Sequence, residues 1–249
     1  LVDNAAQGLA FYGASVQALF EWHVADDTLL EVIPEDVPVG RIDLDAWTGF
    51  LSWQLTPEHA SRFILDAQNF VEIYHSESGY LVGAGNSKYM PRFSTVRRID
   101  SGRSYIPDFA ECVEQSDTEV VSVYVFGTDQ VQVSLSVEDN KCCVRARLLT
   151  EGADADYEFG LMLAFKKDEI IQLGDTSLDV LPLAMINHRF GDEGLVWRER
   201  SFDVPTGAVL DYPLIPHNPY TQHGLPTEEA YIARLSFRVS EEEKTVVIS

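Results

Sequence analysis

Positive charge is scarce in this sequence: 18 Lys and Arg stand against 40 Asp and Glu over 249 residues, a formal charge of −22. Affinity for a polyphosphate rests on cationic contacts that release counterions, so this balance excludes nucleic acid as a partner. Long apolar runs are lacking too. No stretch approaches the roughly 20 apolar residues of a membrane-spanning helix, so no membrane partner is expected. Cysteine is rare, with Cys112, Cys142 and Cys143 giving an odd count and no C-x-x-C metal spacing. Adjacent strand residues point to opposite faces, so Cys142 and Cys143 are expected to be small buried apolar side chains rather than a working pair. They leave the redox compartment open. Lysine supplies only five of the 18 cations. An acidic, lysine-poor surface stays hydrated in salt and fits a saline setting as well as an ordinary extracellular or cytosolic one.

What is present is enough for a core. Apolar residues make up 45% and aromatics 11%, so the acidity does not imply disorder. No basic segment leading into an apolar stretch opens the chain at Leu1, and a strand without a tail closes it. Together these read as a piece of a longer protein. From Asp3 to Val24, Ala6, Leu9, Ala10, Val16, Leu19 and Phe20 recur at helical spacing behind an N-capping Asp3, which predicts one helix. The acidic stretch Asp26 to Gly40, with Pro34 and Pro38, reads as a linker. The expected division is therefore residues 1–40 as helix and linker and 41–249 as a β-sandwich domain. Thr56-Pro57-Glu58-His59 has the form of a capped helical turn.

From Phe70 the period changes to that of strands. Phe70–Tyr74 and Tyr80–Val82 flank a turn at Ser76–Gly79, and Glu119–Phe126, Gln130–Val137 and Lys141–Leu149 read as a meander. Val131, Val133, Leu135 and Val137 alternate with polar residues, so one face is buried and the other wet. Further strands are expected over Tyr157–Phe165, Glu169–Leu173, Leu178–Asn187, Leu195–Arg200, Ala208–Asp211, Tyr231–Val239 and Thr245–Ile248. Many short strands with polar turns and few helices predict an all-β fold, a large antiparallel β-sandwich of supersandwich type with an N-terminal helix. The acidic run Glu241–Glu243 reads as a solvated turn that discourages edge pairing.

Few segments carry chemistry. Gly83-Ala84-Gly85-Asn86-Ser87-Lys88 lacks the third glycine of a dinucleotide loop and any following helix, so it reads as a strand end where backbones approach closely. His188-Arg189 ends an apolar strand and places an imidazole and a guanidinium at a strand–loop junction. The richest segment runs from Tyr212 to Gly224, where three prolines stiffen a loop holding His217, Asn218, Tyr220 and His223. Such a loop can present a general base, an acid and amide donors. It is a poor metal site, with two histidines six apart and no third ligand, so no metal is expected. Tyr74-His75-Ser76-Glu77 reads as a surface cluster. Trp47, Trp53, Tyr80 and Trp197 can either stack on sugar rings or fill a core. No G-x-S-x-G serine machinery occurs.

The leading helix, the large antiparallel sandwich, SGYLVGAGNSK over Ser78–Lys88 and HNPY over His217–Tyr220 resemble the C-terminal β-sandwich of heparinase II/III-type polysaccharide lyases. The resemblance is one of layout over roughly residues 60–249. It implies a helical partner domain, a polysaccharide substrate, anionic or neutral, and at its fullest β-elimination from a uronic acid. In that family one residue neutralises the carboxylate, a Tyr or His removes the C5 proton and an acid protonates the leaving oxygen. The chain has no room for the family's helical toroid, so no catalytic position transfers directly. On this basis His188, Arg189, His217 and Tyr220 are the catalytic candidates, with Asn218 and His223 as substrate contacts. His217 or Tyr220 would move the proton and Arg189 would meet an anionic sugar. No cofactor is identified. The alternative is a non-catalytic structural, interaction or carbohydrate-binding domain. An acidic surface repels an acidic polymer, so a uronate substrate requires a local cationic cleft, for which Arg145, Arg147, Arg189, Arg198 and Arg200 are the expected sources.

Overall fold

A computed structural model describes residues 38–55, 69–83, 93–180, 185–214 and 230–249. The helix expected over Asp3–Val24, the turn at Thr56-Pro57-Glu58-His59 and the loop holding His217, Asn218, Tyr220 and His223 lie outside the described residues. Three hairpins come first: β1 (Val39–Leu44) with β2 (Trp47–Ser52), β3 (Val71–His75) with β4 (Gly79–Val82), and β5 (Val96–Asp100) with β6 (Arg103–Tyr105). β7 (Phe109–Gln115), β8 (Glu119–Phe126), β9 (Asp129–Glu138) and β10 (Lys141–Leu148) form a meander. The long β11 (Asp156–Lys166) leads to β12 (Ile170–Leu173), β13 (Thr176–Asp179), β14 (Ile186–Arg189), β15 (Leu195–Trp197) and β16 (Arg200–Asp203). β17 (Val209–Leu214), β18 (Ala230–Val239) and β19 (Lys244–Ile248) complete the order.

These strands make two antiparallel sheets, as the alternating pattern predicts. The ten-stranded sheet runs β1-β2-β3-β4-β11-β18-β17-β14, with β5 paired to β11 and β6 to β5. The nine-stranded sheet runs β13-β12-β15-β16-β19-β10-β9-β8-β7. Val131, Val133, Leu135 and Val137 of β9 are fully buried, as are Leu161 and Leu163 of β11 and Leu235 of β18. Burying each such side chain contributes about 1.5–3 kcal/mol, so the facing rows supply the cohesion. Two polar side chains bridge the sheets: Trp47 Nε1 donates to Asn140 O at 3.1 Å, and the Tyr124 hydroxyl donates to Ser52 O. Cys142 is buried in this core and Cys143 is buried on the other side of β10; neither is in a disulfide.

Three local expectations need correction. Leu178–Asn187 is not one strand: it contains the end of β13 in the smaller sheet and the start of β14 in the larger. In the sequence the stretch is apolar throughout apart from Asp179 and its last residue, Asn187, so a periodicity search sees no change of sheet within it. Leu195–Arg200 is likewise a hairpin, β15 to β16, turned by Arg198 at φ 50° and Glu199 at φ 62°. Two successive left-handed residues fit a type I′ turn, but neither is the Asn or Gly that announces one. Finally, Val39 and Gly40, expected to end the linker, already belong to β1.

Candidate functional site

Among the described residues β13 is the outermost strand of one sheet and β14, the next in sequence, the outermost of the other. A groove of about 400 Å³ lies there, lined by the apolar Leu173, Leu178, Met185 and Ile186 and by the polar Thr176, Asp179, Asn187 and His188. His188 Nε2 meets Glu193 Oε1 at 3.0 Å, and the ring stands edge-on to Phe190, 4.8 Å between centroids. Glu193 Oε2 accepts the Gly191 N–H at 3.0 Å, and backbone N–H groups hold this carboxyl below its ordinary range. An ionised Glu193 selects the tautomer in which Nε2–H donates to it. Nδ1 is then the ring nitrogen left with a lone pair to accept a hydrogen bond.

Arg189 follows His188 on β14, so the two side chains leave opposite faces of the strand. His188 lies opposite Leu210 in register and Arg189 opposite Val209; Arg189 Nη1 donates to Gly207 O at 3.5 Å. The other arginines expected to form a cationic cleft are engaged elsewhere. Arg145 sits within 4 Å of Glu119, Glu138 and Glu243, and Arg147 donates to the Gln132 amide oxygen at 3.0 Å. Arg198 bonds Glu169 at 2.7 Å and Tyr80 O at 2.7 Å, and Arg200 bonds Glu77 and Ser78 Oγ at 2.9 Å each. These last two fasten the β15–β16 hairpin of the smaller sheet to the β3–β4 turn of the larger.

The larger sheet's outer face holds a polar row that the sequence reading did not single out. Glu158 Oε1 accepts from Arg97 Nε at 2.9 Å and Nη2 at 2.7 Å, and from Arg234 Nη1. Arg234 is only 2% exposed, and Asp211, which accepts from Asn187 Nδ2, lies opposite it in register. The guanidinium lies over Gly160, where a Cβ would fall 2.6 Å from Arg234 Nε. Phe93, Met162, Leu214 and Ile232 make a small buried apolar cluster of their own. The available signals were an Arg in the outward position of an apolar strand and a Gly inside the facing one.

Aromatics divide sharply. Trp47 and Trp197 are fully buried and Trp53 packs against the core, so of the four aromatics considered for sugar stacking only Tyr80 is left exposed. Tyr74 lies directly opposite it in register, 44% exposed against 38%. Thr48 is the next residue across from Tyr74, and Asp43 the next across from Thr48, whose hydroxyl donates to the Asp43 carboxylate at 2.8 Å. His75, expected at the surface, is buried instead: its ring stands edge-on to Trp47, and Nδ1 accepts the Glu77 N–H at 3.2 Å. Burial foremost, then the Arg200 charge, lowers its pKa.

No protein-family model matches the chain, and no curated protein matches it. Among solved structures it is similar to a galactose mutarotase related enzyme from Lactobacillus acidophilus. The two share 6% identity at a TM-score of 0.47, over 85% of this chain and 96% of that one. The two-sheet architecture stands on the strand pairing itself. The lyase-type resemblance gains no matched residue from these comparisons.

Chemically, the groove offers an oriented imidazole, one amide, one carboxylate, one hydroxyl and four apolar side chains. Among the described residues, no group of three His, Cys, Asp or Glu side chains is placed to hold a metal ion.

Proposed function

We propose that this chain is a carbohydrate-associated β-sandwich module that binds a polysaccharide, with the groove between β13 and β14 as one contact. The observation that carries this reading is the groove's composition: Leu173, Leu178 and Ile186 suit the C–H face of a sugar ring, while Thr176, Asp179, Asn187 and His188 suit its hydroxyls. Its test is thermal unfolding with and without soluble polysaccharides, repeated on Asn187→Ala and His188→Ala. A ligand that binds only the folded chain raises the melting temperature by mass action. The reading expects a rise that both substitutions reduce; no rise with any polymer refutes it.

The catalytic extension is β-elimination on a uronic-acid polymer. A base takes the C5 proton, its electrons form the C4=C5 double bond, the C4–O bond breaks, and the leaving oxygen takes a proton. Orientation of His188 by Glu193 favours a proton-transfer role there. Arg189, His217 and Tyr220 are proposed as its catalytic partners, with Asn218 and His223 holding substrate. This version needs a cationic cleft, and the ion pairs of Arg145, Arg198 and Arg200 count against one, so the binding reading is the better supported. Ultraviolet absorbance of the unsaturated product, followed with uronate polymers, separates the two.

A further inference from the structure

The outer face of β2, β3 and β4 carries an aromatic surface that the core does not use. Tyr74 and Tyr80 are register partners across β3 and β4, both exposed on the face opposite the buried Ile73. Tyr80 does not stand away from the sheet. A Cβ on Gly83 would fall 1.9 Å from Tyr80 Oη, so the phenol lies along its own strand over the glycine backbone. Gly83 adopts φ 124°, which an L side chain rarely accepts, and the position keeps that ring low. The platform is bordered by acceptors: Thr48 and Asp43 lie in the same row as Tyr74, and Glu72 sits two residues before Tyr74 on the same face. Arg41, which borders the same face, is held by Asp43 and lies over the Phe50 ring at 5.7 Å, while Arg198 reaches the Tyr80 backbone carbonyl rather than its ring and is bonded to Glu169.

Two adjacent phenols edged by carboxylates and a hydroxyl match a neutral sugar chain. Ring C–H groups meet the aromatic faces and sugar hydroxyls donate to the acceptors, without any anionic substituent to be repelled. We infer that Tyr74 and Tyr80 form a stacking subsite for a neutral polysaccharide. This rests on the carbohydrate reading and deepens it by choosing the polymer class. β4 and β14 are four strand spacings apart in the sheet order, about 19 Å, so the subsite is distinct from the groove.

The test is affinity gel electrophoresis of the full chain in a neutral β-glucan, a neutral galactan and a galactomannan, with polygalacturonate and alginate as charged counterparts. Tyr74→Ala, Tyr80→Ala, Tyr74→Phe and Tyr80→Phe run beside the unsubstituted protein, with circular dichroism and melting temperature as checks on folding. The expected result is retardation by a neutral polymer, weakened at least fivefold by either alanine and kept within twofold by either phenylalanine. Retardation unchanged in folded alanine variants overturns the subsite and leaves the carbohydrate reading standing. Retardation by the uronate polymers alone overturns the neutral class. Retardation by no polymer overturns both. Were Tyr80→Ala to misfold, Tyr74→Ala alone decides, because Tyr74 is the more exposed of the two and belongs to no buried cluster among the described residues.

Discussion

Replacing Glu158 by glutamine tests whether the Arg97–Glu158–Arg234 row holds the larger sheet together. The carboxylate receives three N–H donors from two guanidinium groups, with side-chain exposures of 21% for Glu158, 11% for Arg97 and 2% for Arg234. Breaking a fully buried pair by removing one charge costs about 3–5 kcal/mol. Glu158 keeps some water, and glutamine keeps one acceptor oxygen, so the expected loss is about 2–3 kcal/mol. With a urea m-value near 3 kcal/mol/M, the unfolding midpoint should fall by about 1 M while m stays constant. Tryptophan fluorescence reports it, since Trp47 and Trp197 are buried in the same core. Arg97→Met, alone and combined with Glu158→Gln, completes a cycle whose coupling should exceed about 1 kcal/mol. A midpoint shift below about 0.2 M, or purely additive effects, would refute the argument.

Three further outcomes follow from individual contacts. The folded state holds His75 neutral below its ordinary pKa of 6.5, and its Nδ1 accepts backbone N–H groups, so protons bind it more readily in the unfolded chain. Stability should therefore fall as pH drops through about 6.5, and His75→Asn should flatten the urea midpoint between pH 7 and 5; a steeper slope in the variant contradicts this. Gly83→Ala forces a Cβ against Tyr80 Oη at a left-handed φ and should cost about 1–3 kcal/mol, read as a melting temperature lower by several degrees. Raising NaCl from 0.1 to 1 M shortens the Debye length from about 10 to about 3 Å and screens the self-repulsion of a −22 chain. The melting temperature should rise, and a fall would show that attractive ion pairs outweigh that repulsion.

The fold was legible where one physical rule acted alone. The strict alternation of Val131, Val133, Leu135 and Val137 exposes the face a strand must bury, and the meander around it follows directly. Reading failed where two strands shared an unbroken apolar or charged stretch. The β15–β16 turn uses Arg198 and Glu199, residues without turn propensity, and what holds Arg198 there is tertiary: its guanidinium bonds Glu169 and the Tyr80 carbonyl. A contact spanning more than a hundred residues leaves no local trace. The candidate site divides in the same way. His188 was visible as a histidine at a strand end, but Glu158 and Arg234 lie 76 positions apart and meet only because β11 pairs with β18.

The charge balance then constrains what the exposed surface can recognise. With 40 acids and 18 cations, most arginines in a folded chain have carboxylates within reach, and the pairs formed by Arg97, Arg145, Arg198, Arg200 and Arg234 are the local expression of that ratio. An arginine already bonded to glutamate has its charge largely offset and some of its donors occupied, so each ion pair weakens the pull on an external anion. The solvent-facing groups at Tyr74, Tyr80, Thr48, Asp43 and Glu72 are aromatic faces and hydrogen-bond acceptors. That combination accepts hydroxyl donors and C–H surfaces, and its carboxylates repel an added anion. The acidity that excluded polyphosphates at the outset therefore also disfavours anionic polymers at this face.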